Sequence, residues 1–434
     1  MKAIQDAIAD ARARYTEANP KSRAAHQAAA RHLPGGNTRT VLHYDPFPLT
    51  MVAGEGPTLT DLDGHTYLDF VCEFSAGLYG HSDPGIKAAV SHALEQGIVL
   101  GAPTTYERKL AGLLCGRFPA LEQVRFCNSG TEANLLALTT AKIITGRSKI
   151  LVFRGAYHGG VIKFSSDHSP FNVPFDFVLA DYNDVEATAA LIAQHGDTLA
   201  AVIVEPILGV GGNIPAAQPF VDMLRQATRE VGTLLIFDEV KTARLGPAGL
   251  QGRLGIQPDL VTLGKIIAGG LPTGAFGGRA DLMERFNPHA ADALSHAGTF
   301  NNNVCSMAAG CAALGNVFTP QRAEAFYQTS EAFRRSLNDL FASHKVPMVC
   351  NGLGSIFAIH FTDRPLDRLA KRAEISQALN TLLHLELLLS GILIIARGDL
   401  FLSLPMTDQH FDQARAALDR FVHKHRPLIE QSRR

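Results

Sequence analysis

A chain of 434 residues has room for a large domain and a smaller one around an ample core. Its hydrophobic fraction of 46% and charged fraction of 19% are those of an ordinary globular protein, and 40 basic against 41 acidic residues leave a net charge of −1. That balance offers no electrostatic basis for binding nucleic acid or an anionic membrane, so small-molecule chemistry is the expectation. The six cysteines (72, 115, 127, 305, 311 and 350) form no CxxC pair and no metal spacing, and read as free thiols of a reducing cytosol. The opening stretch to Arg14 is polar and alanine-rich, without the apolar run of a signal peptide. The most apolar later stretch, Leu382 to Ile395, is broken by His384, Glu386, Ser390 and Gly391, short of the roughly 20 apolar residues of a spanning helix. A cytoplasmic protein is expected.

Residues 1 to about 56 read as a helical arm and a meander, punctuated by Pro20, Pro34-Gly35-Gly36 and Pro46-Phe47-Pro48. Such an arm has too little core to fold alone and is expected to lie across the rest of the molecule or a partner subunit. Arg39 sits within it, just after a turn. Thr58 to Val71 alternates as a hairpin with Asp63-Gly64 at its turn, and leads to Tyr79, either a pocket wall or a core residue. A strand from Val124 ends at Asn128, Ser129-Gly130-Thr131 makes a turn, and a helix runs to about Ile144. The turn offers backbone amides, two hydroxyls and the positive end of a helix, which favours a phosphate; Ser129 or Thr131 acting as a plain helix cap explains it too.

Lys149 to Phe153 is a further strand, followed by Tyr157 and His158, of which the histidine reads as structural. Ala200 to Pro206 places Glu205 after an apolar run, and Gln218 to Val231 reads as an amphipathic helix returning to Thr233-Leu-Leu-Ile-Phe-Asp-Glu-Val240. There an apolar run meets two carboxylates, the pattern of a buried parallel strand whose carboxyl end carries ligand groups. A second run from Pro258 stops at Gly264-Lys265, with five glycines in the next fourteen positions. A desolvated lysine at a strand end is a nucleophile towards carbonyls, which is Schiff-base chemistry, and an aspartate on the neighbouring strand suits the pyridinium nitrogen of pyridoxal phosphate. Alternating strands and helices through residues 100 to 280 make the fold class α/β with a mostly parallel sheet. No GxGxxG opens a helix in a dinucleotide-binding context and no metal set emerges. Beyond about 318 a new unit is expected: helices from Gln321 to Lys345, Arg372 to Leu389 and Asp408 to His425, a strand from Val349 to Phe361, and a loop holding Arg397.

From Pro34-Gly-Gly-Asn-Thr-Arg-Thr-Val41 to Leu402-Ser-Leu-Pro405, the chain resembles the fold-type I, class III aminotransferases, most closely the β-phenylalanine aminotransferase group. The resemblance implies a large domain (57–317) with a mostly parallel seven-stranded sheet flanked by helices, a smaller α+β domain (318–434), and an arm (1–56) that joins the latter. It implies pyridoxal 5′-phosphate bonded to Lys265 and paired through its ring nitrogen with Asp238, its phosphate in a cup of Ser129, Gly130 and Thr131, and Tyr157 stacked on its ring. Thr299 would reach the phosphate of the neighbouring subunit, which implies a homodimer with shared sites. Arg39 would hold the carboxylate of a β-amino acid donor, and Arg397, in a mobile role, an acidic 2-oxo acid acceptor such as 2-oxoglutarate, with pyruvate the other acceptor implied.

Glutamate-1-semialdehyde 2,1-aminomutases are similar around the lysine, but their amino-terminal motif, Gly-Gly-Val-Asn-Ser-Pro-Val-Arg, differs from Gly35-Gly-Asn-Thr-Arg-Thr-Val41 here. The chain departs from its likeness at Lys241, where methionine is common. A non-catalytic cofactor-binding protein is disfavoured because Asp238 and Lys265 are both kept and no DNA-binding module is added.

Overall fold

Near-continuous apolar runs, rather than alternating ones, build the main sheet. In the computed structural model, which describes residues 1–165, 169–369 and 374–433, the strands Leu199–Val204, Leu234–Asp238 and Leu260–Gly264 are buried at every residue. Parallel strands covered on both faces require this. The seven strands lie in the order Gln123–Cys127, Gly274–Gly278, Leu260–Gly264, Leu234–Asp238, Leu199–Val204, Lys149–Phe153, Asp176–Ala180. Only Gly274–Gly278 runs against its neighbours. Its first glycine is dictated by space: a side chain at Gly274 would strike the backbone of Ser129, so the absent Cβ lets the turn at Ser129 settle onto the sheet.

The helix Gly130–Thr145 packs on the strands Leu260–Gly264 and Gly274–Gly278, and Gln218–Glu230 on Leu234–Asp238. The latter helix buries Phe220, Val221, Leu224, Arg225 and Thr228, the i, i+3, i+4 stripe that its sequence shows. Asp176–Ala180, which sequence reading did not find, is an edge strand with only Ala180 fully buried, so its apolar signal is weak.

The expected hairpin forms from Thr58–Asp61 and Thr66–Asp69. Its outer neighbours in one four-stranded sheet are Met51–Glu55 and Ile392–Leu393. A line between residues 56 and 57 therefore falls inside a continuous sheet, and we propose that residues 51–69 be grouped with the carboxyl-terminal unit. In that unit, Val349–Phe361 is not a single strand. It is a hairpin of Val349–Leu353 and Ile356–His360 turning at Gly354-Ser355, with Asp399–Phe401 as third strand. The helices Pro320–Ser343, Glu374–Leu389 and Asp408–Ile429 complete it. The expected helix start at Arg372 lies outside the described residues.

The amino-terminal helix Lys2–Ala18 buries Ile4, Ile8, Ala11 and Tyr15 against Glu374–Leu389. The Tyr15 hydroxyl donates to the Phe47 carbonyl at 2.9 Å and Arg14 pairs with Glu386 at 2.6 Å, so the arm lies across its own chain. No described helix is long and apolar enough to cross a membrane.

One fully buried side chain ties the two units together. Arg244 donates to the carbonyls of Ser75 and Leu402 and to the Ser355 hydroxyl, and burial lowers its pKa to about 10. Arg244→Met would leave these acceptors buried and unsatisfied, at about 1 to 3 kcal/mol each. A clear fall in the thermal unfolding midpoint is expected; an unchanged midpoint would show that Arg244 does not hold the units together.

Candidate active site

The carboxyl ends of two neighbouring parallel strands carry the central pair. Asp238 closes one strand, in register with Thr262 of the next, and Lys265 follows the last residue of that second strand. Strand alternation separates the two consecutive carboxylates. Glu239 turns away and accepts from the amides of Leu250 and Gln251 at 3.1 and 2.6 Å, capping the helix Gly249–Leu254, while burial raises its pKa. Asp238 is left facing the helix Gly130–Thr145, only 4% exposed.

Three donors fix that carboxylate. Asn134 Nδ2 and His158 Nδ1 meet its Oδ2 at 2.8 and 2.9 Å, and the Val240 amide meets Oδ1 at 3.0 Å. The Asn134 amide is itself held: Nδ2 also donates to the His158 carbonyl at 2.8 Å, and Oδ1 accepts from the Thr262 hydroxyl at 2.6 Å. A carboxylate has about four lone-pair sites, so these contacts leave capacity for a further donor.

Lys265 stands in the left-handed region at φ 51, uncommon for a side chain with a Cβ and typical of functional turns. The turn is braced by Tyr79, buried, whose hydroxyl donates to the Ile266 carbonyl at 2.9 Å. Tyr79 is thus a core support. Burial lowers the Lys265 pKa; Asp238 and Glu205 oppose the shift, and the charges of Arg244 and Arg397 add to it. An amine in that setting reaches its neutral, nucleophilic form more easily.

Ser129 caps the helix Gly130–Thr145, its hydroxyl accepting from the Glu132 amide at 3.1 Å while Glu132 accepts from the Asn128 amide at 2.6 Å. Capping and anion binding coexist, because helix geometry leaves the amides of Gly130 and Thr131 without intrahelical partners. The loop of Tyr157 lies against this turn: a side chain at Gly159, whose φ is 129, would strike Thr131. Tyr157 itself is 45% exposed, and its amide donates to Glu205 at 2.8 Å. Burial raises the pKa of Glu205 as well as that of Tyr157, the latter against the nearby charge of Arg39.

The two arginines each rest on a carboxylate of the protein. Arg39 pairs with Glu73 and lies over the Phe74 ring, 4.8 Å from its centroid. Glu73 and Phe74 belong to a left-handed turn, Cys72 to Ser75, with φ between 44 and 80 at all four residues. Arg397 pairs through Nε with the buried Asp399 at 2.6 Å. Thr299 is exposed in the loop before Val304–Ala312, and that loop touches the turn at Ser129 where Asn301 accepts from Asn128 at 3.0 Å.

Sequence reading missed Asn134 as a ligand of Asp238, and set His158 aside as structural although it is bonded directly to that carboxylate. Both are among the few fully buried polar side chains near the sheet end, and polar residues buried beside a strand-end carboxylate are the signal that could have marked them.

A buried carboxylate with spare acceptor capacity, an amine of lowered pKa on the adjoining strand, an aromatic face and a helix-terminal anion site fit the ring nitrogen, aldehyde, ring and phosphate of pyridoxal 5′-phosphate. Together with the seven-stranded sheet they define a fold-type I pyridoxal-phosphate enzyme. The class III aminotransferase family matches residues 41–423. The chain is 49% identical over 430 residues, 99% of each, to the β-phenylalanine transaminase of Variovorax paradoxus. A solved structure of a β-phenylalanine aminotransferase from that organism superposes with a TM-score of 0.96 over 98% of this chain and 99% of the other. An omega-transaminase from Sphaerobacter thermophilus is 36% identical with a TM-score of 0.89, covering 94% and 98% of the two chains. A glutamate-1-semialdehyde 2,1-aminomutase of Exiguobacterium sibiricum is 35% identical over 93% and 97%. The chain belongs to the class III aminotransferases and is a pyridoxal-phosphate-dependent transaminase.

Borohydride reduction of the holoenzyme is expected to leave the cofactor's mass on the peptide containing Lys265. Mass found on any other lysine would overturn the assignment of the covalent link.

Proposed function

We propose that this enzyme moves the amino group of a β-amino acid, with β-phenylalanine as the representative donor, to a 2-oxo acid such as 2-oxoglutarate or pyruvate. The observation that carries the reading is the pair of part-exposed arginines whose charges act on Tyr157 and Lys265, each parked on a protein carboxylate that a substrate carboxylate can replace. The carboxylates of a β-amino acid and an α-keto acid lie at different distances from the reacting carbon, so one fixed arginine cannot serve both in productive geometry. Arg39, beside Tyr157, takes the donor's carboxylate, and Arg397, whose charge is felt at Lys265, takes the acceptor's. The full-length likeness to the Variovorax β-phenylalanine transaminase supports the same donor class. An aminomutase moves an amino group within one molecule and has no second carboxylic acid to recognise, so the second arginine disfavours that alternative.

Pyridoxal phosphate, when bound, supplies the aldehyde that accepts and returns the amino group and a ring that withdraws electrons from the substrate carbon. Ser129, Gly130 and Thr131 hold its phosphate, Tyr157 covers its ring, and Asp238 keeps its nitrogen protonated. The Lys265 amine would take the proton from the amine-bearing carbon of the donor as general base and hand it as general acid to the C4′ carbon of the cofactor. Thr299 reaches the phosphate site of a neighbouring copy in a homodimer. The exposure of Phe300 beside it (63%) and of Val99 (84%), on loops joined where the Asn302 side-chain amide donates to the Ala102 carbonyl at 3.4 Å, supports that arrangement.

Loss of a charged hydrogen-bond partner removes roughly 1.5 to 3 kcal/mol, about one to two orders of magnitude in kcat/KM. Arg39→Ala is expected to impair cofactor amination by β-phenylalanine and spare the return reaction with 2-oxoglutarate, and Arg397→Ala to do the reverse. Equal losses in both half-reactions for both variants would make the arginines structural and restore the aminomutase reading.

A further inference from the structure

Three residues beyond Asp238 the chain places a second lysine close to the first. Lys241 Nζ donates to Asn213 Oδ1 at 2.5 Å and lies 5.0 Å from the centroid of the Phe401 ring. Asn213 is completely buried, with a left-handed backbone at φ 54 and its carbonyl accepting from Asn351 at 3.2 Å. Its Nδ2 donates to Asp399 Oδ1 at 2.8 Å, and the other oxygen of Asp399 pairs with Arg397. The bridge has a fixed polarity, because an ammonium has only protons to offer and a carboxylate only lone pairs. Lys241, Asn213, Asp399 and Arg397 thus form an unbroken polar line from the end of the Asp238 strand to the second arginine.

Arg397 must leave Asp399, at least in part, to meet a substrate carboxylate. A cation acting on Asp399 from the other side weakens its hold on Arg397, since one carboxylate then serves two positive charges. We propose that Lys241 is a positioning residue that sets how tightly Asp399 holds Arg397, and thereby how readily Arg397 turns to the carboxylate of the 2-oxo acid. The inference rests on the reading of Arg397 as the acceptor's partner.

The charged groups facing Lys241 are Asp399, Glu205, Lys265 and Arg397. Burial brings its pKa down to about 7; Asp399 and Glu205 oppose the shift, and Lys265 and Arg397 add to it. The sign follows. Below that value Lys241 is charged, Asp399 is shared and Arg397 is released more readily. Above it Lys241 is neutral, Arg397 is retained, and acceptor binding weakens.

The test is a pair of single-turnover half-reactions on the holoenzyme between about pH 6 and 9, followed by cofactor absorbance, with wild type, Lys241→Met, Lys241→Arg and Arg397→Ala. Lys241→Met keeps the length of the stem without the charge, and is expected to raise the apparent Kd for 2-oxoglutarate roughly fivefold at the acid end. It should also flatten the pH dependence and spare amination by β-phenylalanine. Lys241→Arg should restore tight acceptor binding and carry it to the alkaline end. Equal weakening of both half-reactions by Lys241→Met, with no rescue by arginine, would show a merely structural lysine and overturn the proposal. A silent Lys241→Met beside a damaging Arg397→Ala would overturn the proposal alone; a silent Arg397→Ala would remove the reading of Arg397 and the proposal with it.

Discussion

A buried carboxylate beside a partly buried amine whose ammonium form is disfavoured by desolvation is the constraint from which the rest of the site follows. Neither group is stable alone in a dry interior: an unpaired buried charge either carries a large desolvation penalty or neutralises. Asp238 meets the requirement with donors from three places, Asn134 on the helix after the phosphate turn, His158 in the loop after another strand, and the amide of Val240. These contacts oblige the helix Gly130–Thr145 and the Tyr157 loop to converge on one strand end. The turn Ser129-Gly130-Thr131 and Tyr157 ride on those two elements. Holding the carboxylate therefore places both of them at the same strand end.

Lys265 is under the opposite demand, since its use as a nucleophile depends on losing the ammonium form. Burial drives it that way, and Asp238 and Glu205 restrain it. Its left-handed backbone is held by surroundings that are themselves rigid, with Tyr79 on the next carbonyl and fully buried strands beneath. The arginines, by contrast, sit on partners that can be exchanged. In the proposed function the fold thus separates a fixed chemical centre from two arginines that exchange a protein carboxylate for a substrate's, one in the amino-terminal arm and one in the carboxyl-terminal unit.

Much of this was legible in the chain itself. Apolar runs ending abruptly in Asp238 and Lys265 mark parallel strands whose carboxyl ends carry chemistry, and the turn Ser129-Gly130-Thr131 marks a helix start with anion-binding amides. What stayed hidden is long-range. Asn134 looks like any first-turn helix residue until it is seen 2.8 Å from a carboxylate 104 positions away. Lys241 stood out as a departure, but its meaning depends on Asn213, which is 186 positions from Asp399. The edge strand Asp176–Ala180 and the turn at Gly354 were missed for a different reason: half-buried edges carry little apolar signal, and two short buried strands read as one. The hairpin Thr58–Asp69 was found, but its pairing with Ile392–Leu393 was not, because a two-residue parallel strand has no signature of its own.

The central claim is that Asp238, held by Asn134 and His158, keeps the cofactor's ring nitrogen protonated opposite Lys265. Nitrogen-15 NMR of the holoenzyme reconstituted with cofactor labelled at the ring nitrogen measures this directly. The account predicts the chemical shift of a protonated ring nitrogen in the wild-type enzyme and that of an unprotonated one in Asp238→Asn. An unprotonated nitrogen in the wild type, or a protonated one that survives the substitution, would contradict it.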